Sequence, residues 1–152
     1  TAIHIFEPVP SNMIAANRRL SSYSNIYYHD IGLSDNKETL SFSADGSCST
    51  SSEAGELNIK VDRLDDLELG SFSFIKMDIE GAELAALEGA QKTILRDKPR
   101  LAISVYHRPS DIWAIPRKLL SIHPDYKIYL RHYTESVYET VMFFIPPETD
   151  VK

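Results

Sequence analysis

The stretch Phe72-Ser73-Phe74-Ile75-Lys76-Met77-Asp78-Ile79-Glu80-Gly81-Ala82-Glu83 joins an apolar run to an acidic turn that carries a glycine. Its first part, Phe72 to Ile79, predicts a buried strand, because a short run of branched and aromatic residues suits a strand covered on both faces. Gly81 then lets the backbone turn sharply. The turn leads directly into a helical pattern in which Leu84, Leu87, Ala90 and Ile94 fall on one face. Glu88 and Lys92 make an i,i+4 pair in the favourable order, worth about 0.3–0.5 kcal/mol, and Pro99 stops the helix.

Beyond Pro99, Leu101 to Tyr106 predicts a second buried strand, and Ser110-Asp111 opens a helix carrying Ile112, Trp113, Ile115, Leu119 and Leu120. Pro116 should break that helix in two, since an interior proline removes a hydrogen bond and clashes with the preceding turn. Tyr126 to Tyr133 and Glu139 to Ile145 predict an antiparallel pair around Thr134 to Tyr138. On the N-terminal side, Ile3 to Phe6 predicts a buried parallel strand closed by Glu7-Pro8-Val9-Pro10. Ser11 is placed to cap a helix to Leu20 or Ser22, with Met13, Ile14 and Leu20 facing inward. Asn25 to Leu33 predicts another strand, ending near Asp30-Ile31-Gly32. Thr39 to Ser43 and Leu57 to Val61 predict a hairpin across the Ser- and Gly-rich stretch Ala44 to Gly55. This order is that of an α/β protein with a mostly parallel sheet and an antiparallel C-terminal edge.

A chain of 152 residues sets a single domain, 1–152, and no internal repeat divides it. With 43% hydrophobic and 25% charged residues the composition is globular, not disordered or fibrous. The net charge of −6 gives no overall positive field for phosphate backbones, so nucleic acid is not an expected partner. Cys48 is the only cysteine, which excludes an intramolecular disulfide and favours a reducing compartment; its default role is that of a loop residue. No apolar run approaches the roughly 18 residues of a membrane span, and the N-terminus has no signal-like core, so a cytoplasmic protein with no membrane partner is expected.

In open α/β sheets ligands bind beyond the carboxyl ends of the strands. The residues there are Glu7, Asp30, Asp78 with Glu80, and His107 with Arg108. Glu7 suits the vicinal hydroxyls of a ribose and equally suits a solvated turn before Pro8. Asp30 could accept from an adenine amino group, although acids are common in turns. Asp78 and Glu80 are two apart in an extended segment and so point to one side, whereas Glu83 is accounted for by the helix macrodipole. His107 could act as a general base or remain structural. The six glycines are too widely spaced for a GxGxxG or phosphate loop, and neither GxSxG nor HExxH occurs.

Ile75-Lys76-Met77-Asp78-Ile79-Glu80-Gly81-Ala82-Glu83 with Leu87-Glu88-Gly89-Ala90 resembles the best-known stretch of FkbM-type S-adenosylmethionine-dependent methyltransferases. Phe6-Glu7-Pro8 with Pro10, Gly32-Leu33-Ser34-Asp35, Val61 to Leu67, Tyr106-His107-Arg108-Pro109 with Asp111, and Arg131-His132-Tyr133 before Glu139-Thr140-Val141 continue the resemblance in order. The resemblance implies a class I methyltransferase, Rossmann-like fold whose second strand is the first one here. That fold's first strand, glycine-rich loop and first helix are then expected to be lacking, as in an N-terminally truncated domain. It implies S-adenosylmethionine as cofactor, with Glu7 on the ribose, Asp30 and Ile31 at the adenine end, and Asp78 with Glu80 near the transferred methyl. His107 would line the acceptor side, and Asp78 or His107 would serve as the base. The implied acceptor is a hydroxyl of a sugar, glycan or secondary metabolite. No metal ligands are assigned; Asp78, Glu80 and His107 would be the donors if a divalent ion were used. Two other readings compete: an NAD-dependent oxidoreductase, and a non-catalytic fragment or interaction module prone to self-association through open strand edges.

Overall fold

The computed structural model describes residues 1–42, 57–136 and 138–147, so the Ser- and Gly-rich stretch with Cys48 lies outside the described residues. The elements run β1 (Ile3–Phe6), α1 (Pro10–Leu20), β2 (Ile26–His29), β3 (Gly32–Leu33), β4 (Glu38–Phe42), β5 (Leu57–Asp62), a 3₁₀ turn (Leu64–Asp66), β6 (Phe74–Met77), α2 (Glu83–Glu88), α3 (Gln91–Asp97), β7 (Arg100–Ser104), α4 (Asp111–Ile122), β8 (Lys127–His132) and β9 (Thr140–Ile145). The α/β class and the antiparallel C-terminal edge match the sequence pattern. Hydrogen bonding divides the strands among three groups, β1-β2, β3-β5-β4 and β6-β7-β9-β8. The pairs β1-β2, β3-β5 and β6-β7 are parallel, and the others are antiparallel.

The core joins the largest strand group to the helices. Leu101 and Ile103 of β7 and Phe144 of β9 are wholly buried together with Leu87, Ile94, Ile115 and Leu119 from the three helices that follow β6. Each such side chain contributes about 1.5–3 kcal/mol of burial free energy. Phe6 and Leu33 pack against this cluster from the other two strand groups. At the far edge every residue of β8 is exposed. Among the described residues no helix is long and apolar enough to cross a membrane.

Four local expectations are corrected. The helix after Gly81 is two helices, because Gly89 sits so close to another segment that a Cβ there would lie 1.9 Å from the Ser34 carbonyl oxygen. Its own carbonyl accepts from Asp65 N–H at 3.0 Å, and the buried Asp65 carboxylate accepts from Lys92 and Thr93 N–H at 2.9 and 2.8 Å, capping α3 from outside. Glu88 accordingly meets Lys118 and Gln91 instead of Lys92. Second, α4 runs unbroken through Pro116, held on both sides of the proline by Ile115 and Leu119, each 0% exposed. Third, α1 begins at Pro10 with Val9 as N-cap, so Ser11 is inside the helix, and the preset proline φ starts it without a side-chain cap. Met13 and Leu20 are half-buried, while Ile14 is exposed. Fourth, the strand expected over Asn25 to Leu33 splits at Asp30-Ile31, because β2 pairs with β1 and β3 with β5.

The parallel β1-β2 pairing also sets His4 Nδ1 3.0 Å from His29 Nε2, with the two rings stacked and Tyr27, Phe6 and Phe72 around them. Burial first, and then the neighbouring His4, lower the His29 pKa below the ordinary 6.5, with Asp30 opposing. The unfolded chain therefore binds the proton more readily than the folded one. This contribution to stability is whole above pH 6.5 and is lost as pH falls through the lowered folded value. The thermal midpoint should thus decline between pH 7.5 and pH 5, a window above the range in which carboxylates titrate. His29→Phe should flatten the decline; an equally steep pH dependence in the variant would exclude His29 as its source.

Candidate functional site

Because Met77 is paired with Ile103 in parallel register, the residues that follow β6 and β7 emerge side by side. Asp78 follows β6 and is 31% exposed at its side chain, while His107, shortly beyond β7, is only 7% exposed. His107 Nε2 lies 3.5 Å from Asp78 Oδ1 and 3.6 Å from Glu80 Oε2. On the other side of the ring, Nδ1 lies 2.8 Å from Oε1 of Glu83, whose side chain is 1% exposed. The backbone between the two acids turns through Glu80 at φ 54° and Gly81 at φ 89°. A non-glycine residue in the left-handed region costs about 1–2 kcal/mol, and such strain gathers at functional turns. A Cβ on Gly81 would also meet Arg108 Nε at 3.0 Å, so this turn is closed upon by the segment that carries His107.

Asp78 is held by three donors. Tyr106 Oη donates to Oδ1 at 3.0 Å, Lys76 Nζ to Oδ2 at 3.2 Å, and the buried Ser104 hydroxyl also bonds to the carboxylate. Burial alone would raise its pKa, but the bonds from Ser104, Lys76 and Tyr106, with the Lys76 charge, together hold it below the ordinary 3.8. Asp78 is therefore an anion at working pH and a weak proton acceptor. Tyr106 is pushed up to about 12, first by burial and then by its bond to Asp78 and the nearby negative charges. It remains a protonated donor.

Glu7 and Asp30 form a second pair, since Phe6 of β1 stands opposite His29 of β2 and the two acids come next. One Glu7 oxygen accepts from Val9 N–H at 2.8 Å and the other has only a long contact, 3.5 Å, with Asn12 Nδ2. The carboxylate is thus braced by its own turn and keeps accepting capacity on its second oxygen. Asp30 is exposed, and Ile31 lines a cleft of about 420 Å³ with Lys37, Glu38, Thr39, Lys60, Val61 and Asp62. None of these cleft residues belongs to the group around His107. Among the described residues no hydrogen bond or ion pair joins Glu7 or Asp30 to Asp78, Glu80 or His107. Nor does any group of three or more His, Cys, Asp or Glu side chains converge there as metal ligands do.

Four contributors were not singled out as functional in the sequence. Ser104 and Tyr106 alternate on the extension of β7 toward Asp78, a signal visible once the parallel register is known. Lys76 shares the Asp78 face of β6 by the same period of two. Glu83 carries no such signal, because an acid in the first helical turn already has an ordinary explanation.

These acceptors would suit a ligand that carries hydroxyls and a positive charge: Glu7 keeps a carboxylate oxygen free, Asp30 is an exposed carboxylate beside Ile31, and Asp78 with Glu80 concentrates negative charge. The methyltransferase FkbM domain model matches residues 1–138 of the chain. No curated protein matches it. A crystal structure of methyltransferase FkbM from Methylobacillus flagellatus KT is 36% identical, with a TM-score of 0.76 over 94% of this chain. The match covers 36% of that solved protein, so the chain spans little more than a third of its length. The strand-end acids, the Asp78-to-Glu83 turn and this match over most of the residues agree, and the chain belongs to the FkbM methyltransferase family.

Proposed function

We propose that the protein is an S-adenosylmethionine-dependent O-methyltransferase acting on a hydroxyl of a sugar, glycan or secondary metabolite. The observation that carries this reading is the meeting of Asp78, Glu80 and His107 at the ends of two parallel strands. Family membership supports methyl transfer over the nicotinamide alternative, in which this trio has no task. When bound, the cofactor supplies a methyl group already activated on sulfur. The chain must then bind and align the two reactants and remove a proton, and alignment alone is worth several kcal/mol of barrier. Glu7 would hold the ribose diol, and Asp30 with Ile31 the adenine end. Asp78 and Glu80 would attract the cationic sulfur, and Tyr106 would keep Asp78 fixed. His107 would take the hydroxyl proton at Nε2, because Asp78 is too weak a base for the task. The lone Cys48, which permits no intramolecular disulfide, supports placing this activity in the cytoplasm.

Calorimetric titration with S-adenosylmethionine should show binding that Glu7→Ala weakens at least tenfold, about 1.4 kcal/mol. The same titration with NADH should show none. Binding of NADH alone, or binding of the methyl donor unaffected by Glu7→Ala, would refute the assignment.

A further inference from the structure

We propose that Glu83 is a positioning residue for His107, fixing which ring nitrogen carries the proton. This inference rests on the methyltransferase reading for its consequence, but not for its geometry. Glu83 stands in the first turn of α2, where an acid usually faces water and interacts with the helix dipole. Here the side chain is 1% exposed, and a buried carboxylate needs partners that offset its lost hydration. Oε1 accepts from Ile79 N–H at 2.9 Å, which ties the carboxylate across the Glu80-Gly81 turn. The same oxygen lies 2.8 Å from His107 Nδ1, off the axis of an ideal hydrogen bond. Oε2 is buried without a hydrogen-bond partner among the described residues.

A carboxylate oxygen only accepts, and an unprotonated ring nitrogen only accepts. The two atoms repel at 2.8 Å unless one of them carries a proton, and a proton on Nδ1 makes the contact attractive even off the ideal axis. Glu83 therefore keeps the proton on Nδ1. Nε2, also buried without a hydrogen-bond partner among the described residues, faces Asp78 Oδ1 and Glu80 Oε2 at the longer distances of 3.5 and 3.6 Å and is left with its lone pair. In the proton-transfer step the acceptor O–H bond breaks, its electron pair stays on oxygen and an N–H bond forms at Nε2. The imidazolium so formed faces the Glu83 carboxylate at Nδ1 and the Asp78 and Glu80 carboxylates at Nε2. A neutral ring with its proton on Nε2 could not perform this step, which is why an orienting acid behind the ring matters more than its distance from substrate suggests.

The test is ¹⁵N NMR of histidine-labelled protein above pH 8, where an imidazole is ordinarily neutral. The His107 signals are assigned by their loss in His107→Gln. The expected wild-type result is a pyrrole-type Nδ1 and a pyridine-type Nε2. Glu83→Gln retains an acceptor for Ile79 N–H, since the amide oxygen replaces Oε1, but its amide group can donate as well as accept. It should lose the fixed tautomer and lower kcat about 10–100-fold at unchanged KM for the methyl donor, with Glu83→Asp recovering part of the loss. A wild-type ring protonated on Nε2 overturns the proposal, as does an unaltered tautomer in Glu83→Gln, even where activity falls. The wild-type spectrum decides the matter if the variant does not fold. Absence of methyl transfer in the wild type would count against the proposed function alone, since the tautomer is read without turnover.

Discussion

His107→Gln is expected to lower kcat for methyl transfer by about 10²- to 10⁴-fold, the usual contribution of a positioned general base, and to leave the affinity for the methyl donor unchanged. The ring is nearly enclosed, with both nitrogens buried, so substitution removes a proton acceptor and little else that substrate could touch. Asp78→Asn provides the comparison. It keeps the shape and the Tyr106 contact while removing the charge, and it should leave more activity than His107→Gln. The depressed pKa of Asp78 is the reason: three hydrogen-bond donors stabilise the anion and weaken it as a base. Steady-state kinetics of the two variants side by side decide the point. The reverse ranking would assign the base to Asp78.

Gly89→Ala is expected to destabilise the fold by about 1–3 kcal/mol or more, the range for overpacking a tight contact. At about 2–4 °C per kcal/mol for a chain of this size, the thermal midpoint should fall by about 2–12 °C. Gly89 has φ −73°, an ordinary helical value, so conformational entropy by itself would make alanine favourable there. The sign is reversed by space. The new methyl would stand 1.9 Å from the Ser34 oxygen and 2.9 Å from the Ser34 carbonyl carbon, both backbone atoms that no rotamer change can move. Gly70→Ala isolates the opposite cause, since φ there is 84° and nothing lies within 4 Å of the added carbon. That variant should lose about 1–2 kcal/mol through the left-handed backbone alone. Equal midpoints for the two variants would refute the packing argument.

What the sequence made legible follows from range. Phe72 to Ile79 and Leu101 to Tyr106 announce themselves by local apolarity, and their parallel order puts Asp78 and His107 at one edge without further information. The break between α2 and α3 is not written locally, because the pattern Leu84, Leu87, Ala90, Ile94 fits one continuous helix. The interruption comes from Ser34 and Asp65, which reach Gly89 and the start of α3 from distant parts of the chain. Pro116 misleads in the opposite direction: its local cost is genuine, and burial of Ile115 and Leu119 outweighs it. At the site, the acids were visible as residue types. What each one does depends on contacts across strands, such as Ser104 and Tyr106 on Asp78 and His107 on Glu83. That is why sequence left Asp78 and His107 equal as bases and gave Glu83 an unremarkable role.

The alternation along β6 also governs how the gene can change in length. Ile75, Met77 and Ile79 pack toward the core, whereas Phe74 and Lys76 are exposed and Asp78 opens onto the neighbouring strand end. Loss or gain of one codon inside this strand would exchange the two sets, driving Lys76 and Asp78 into apolar surroundings and Met77 into water. A two-codon change would restore the facing but shift Asp78 along β7, away from Ser104 and Tyr106. Substitutions can therefore accumulate across this segment through evolution or mutagenesis, while insertions and deletions are confined to the loops outside it.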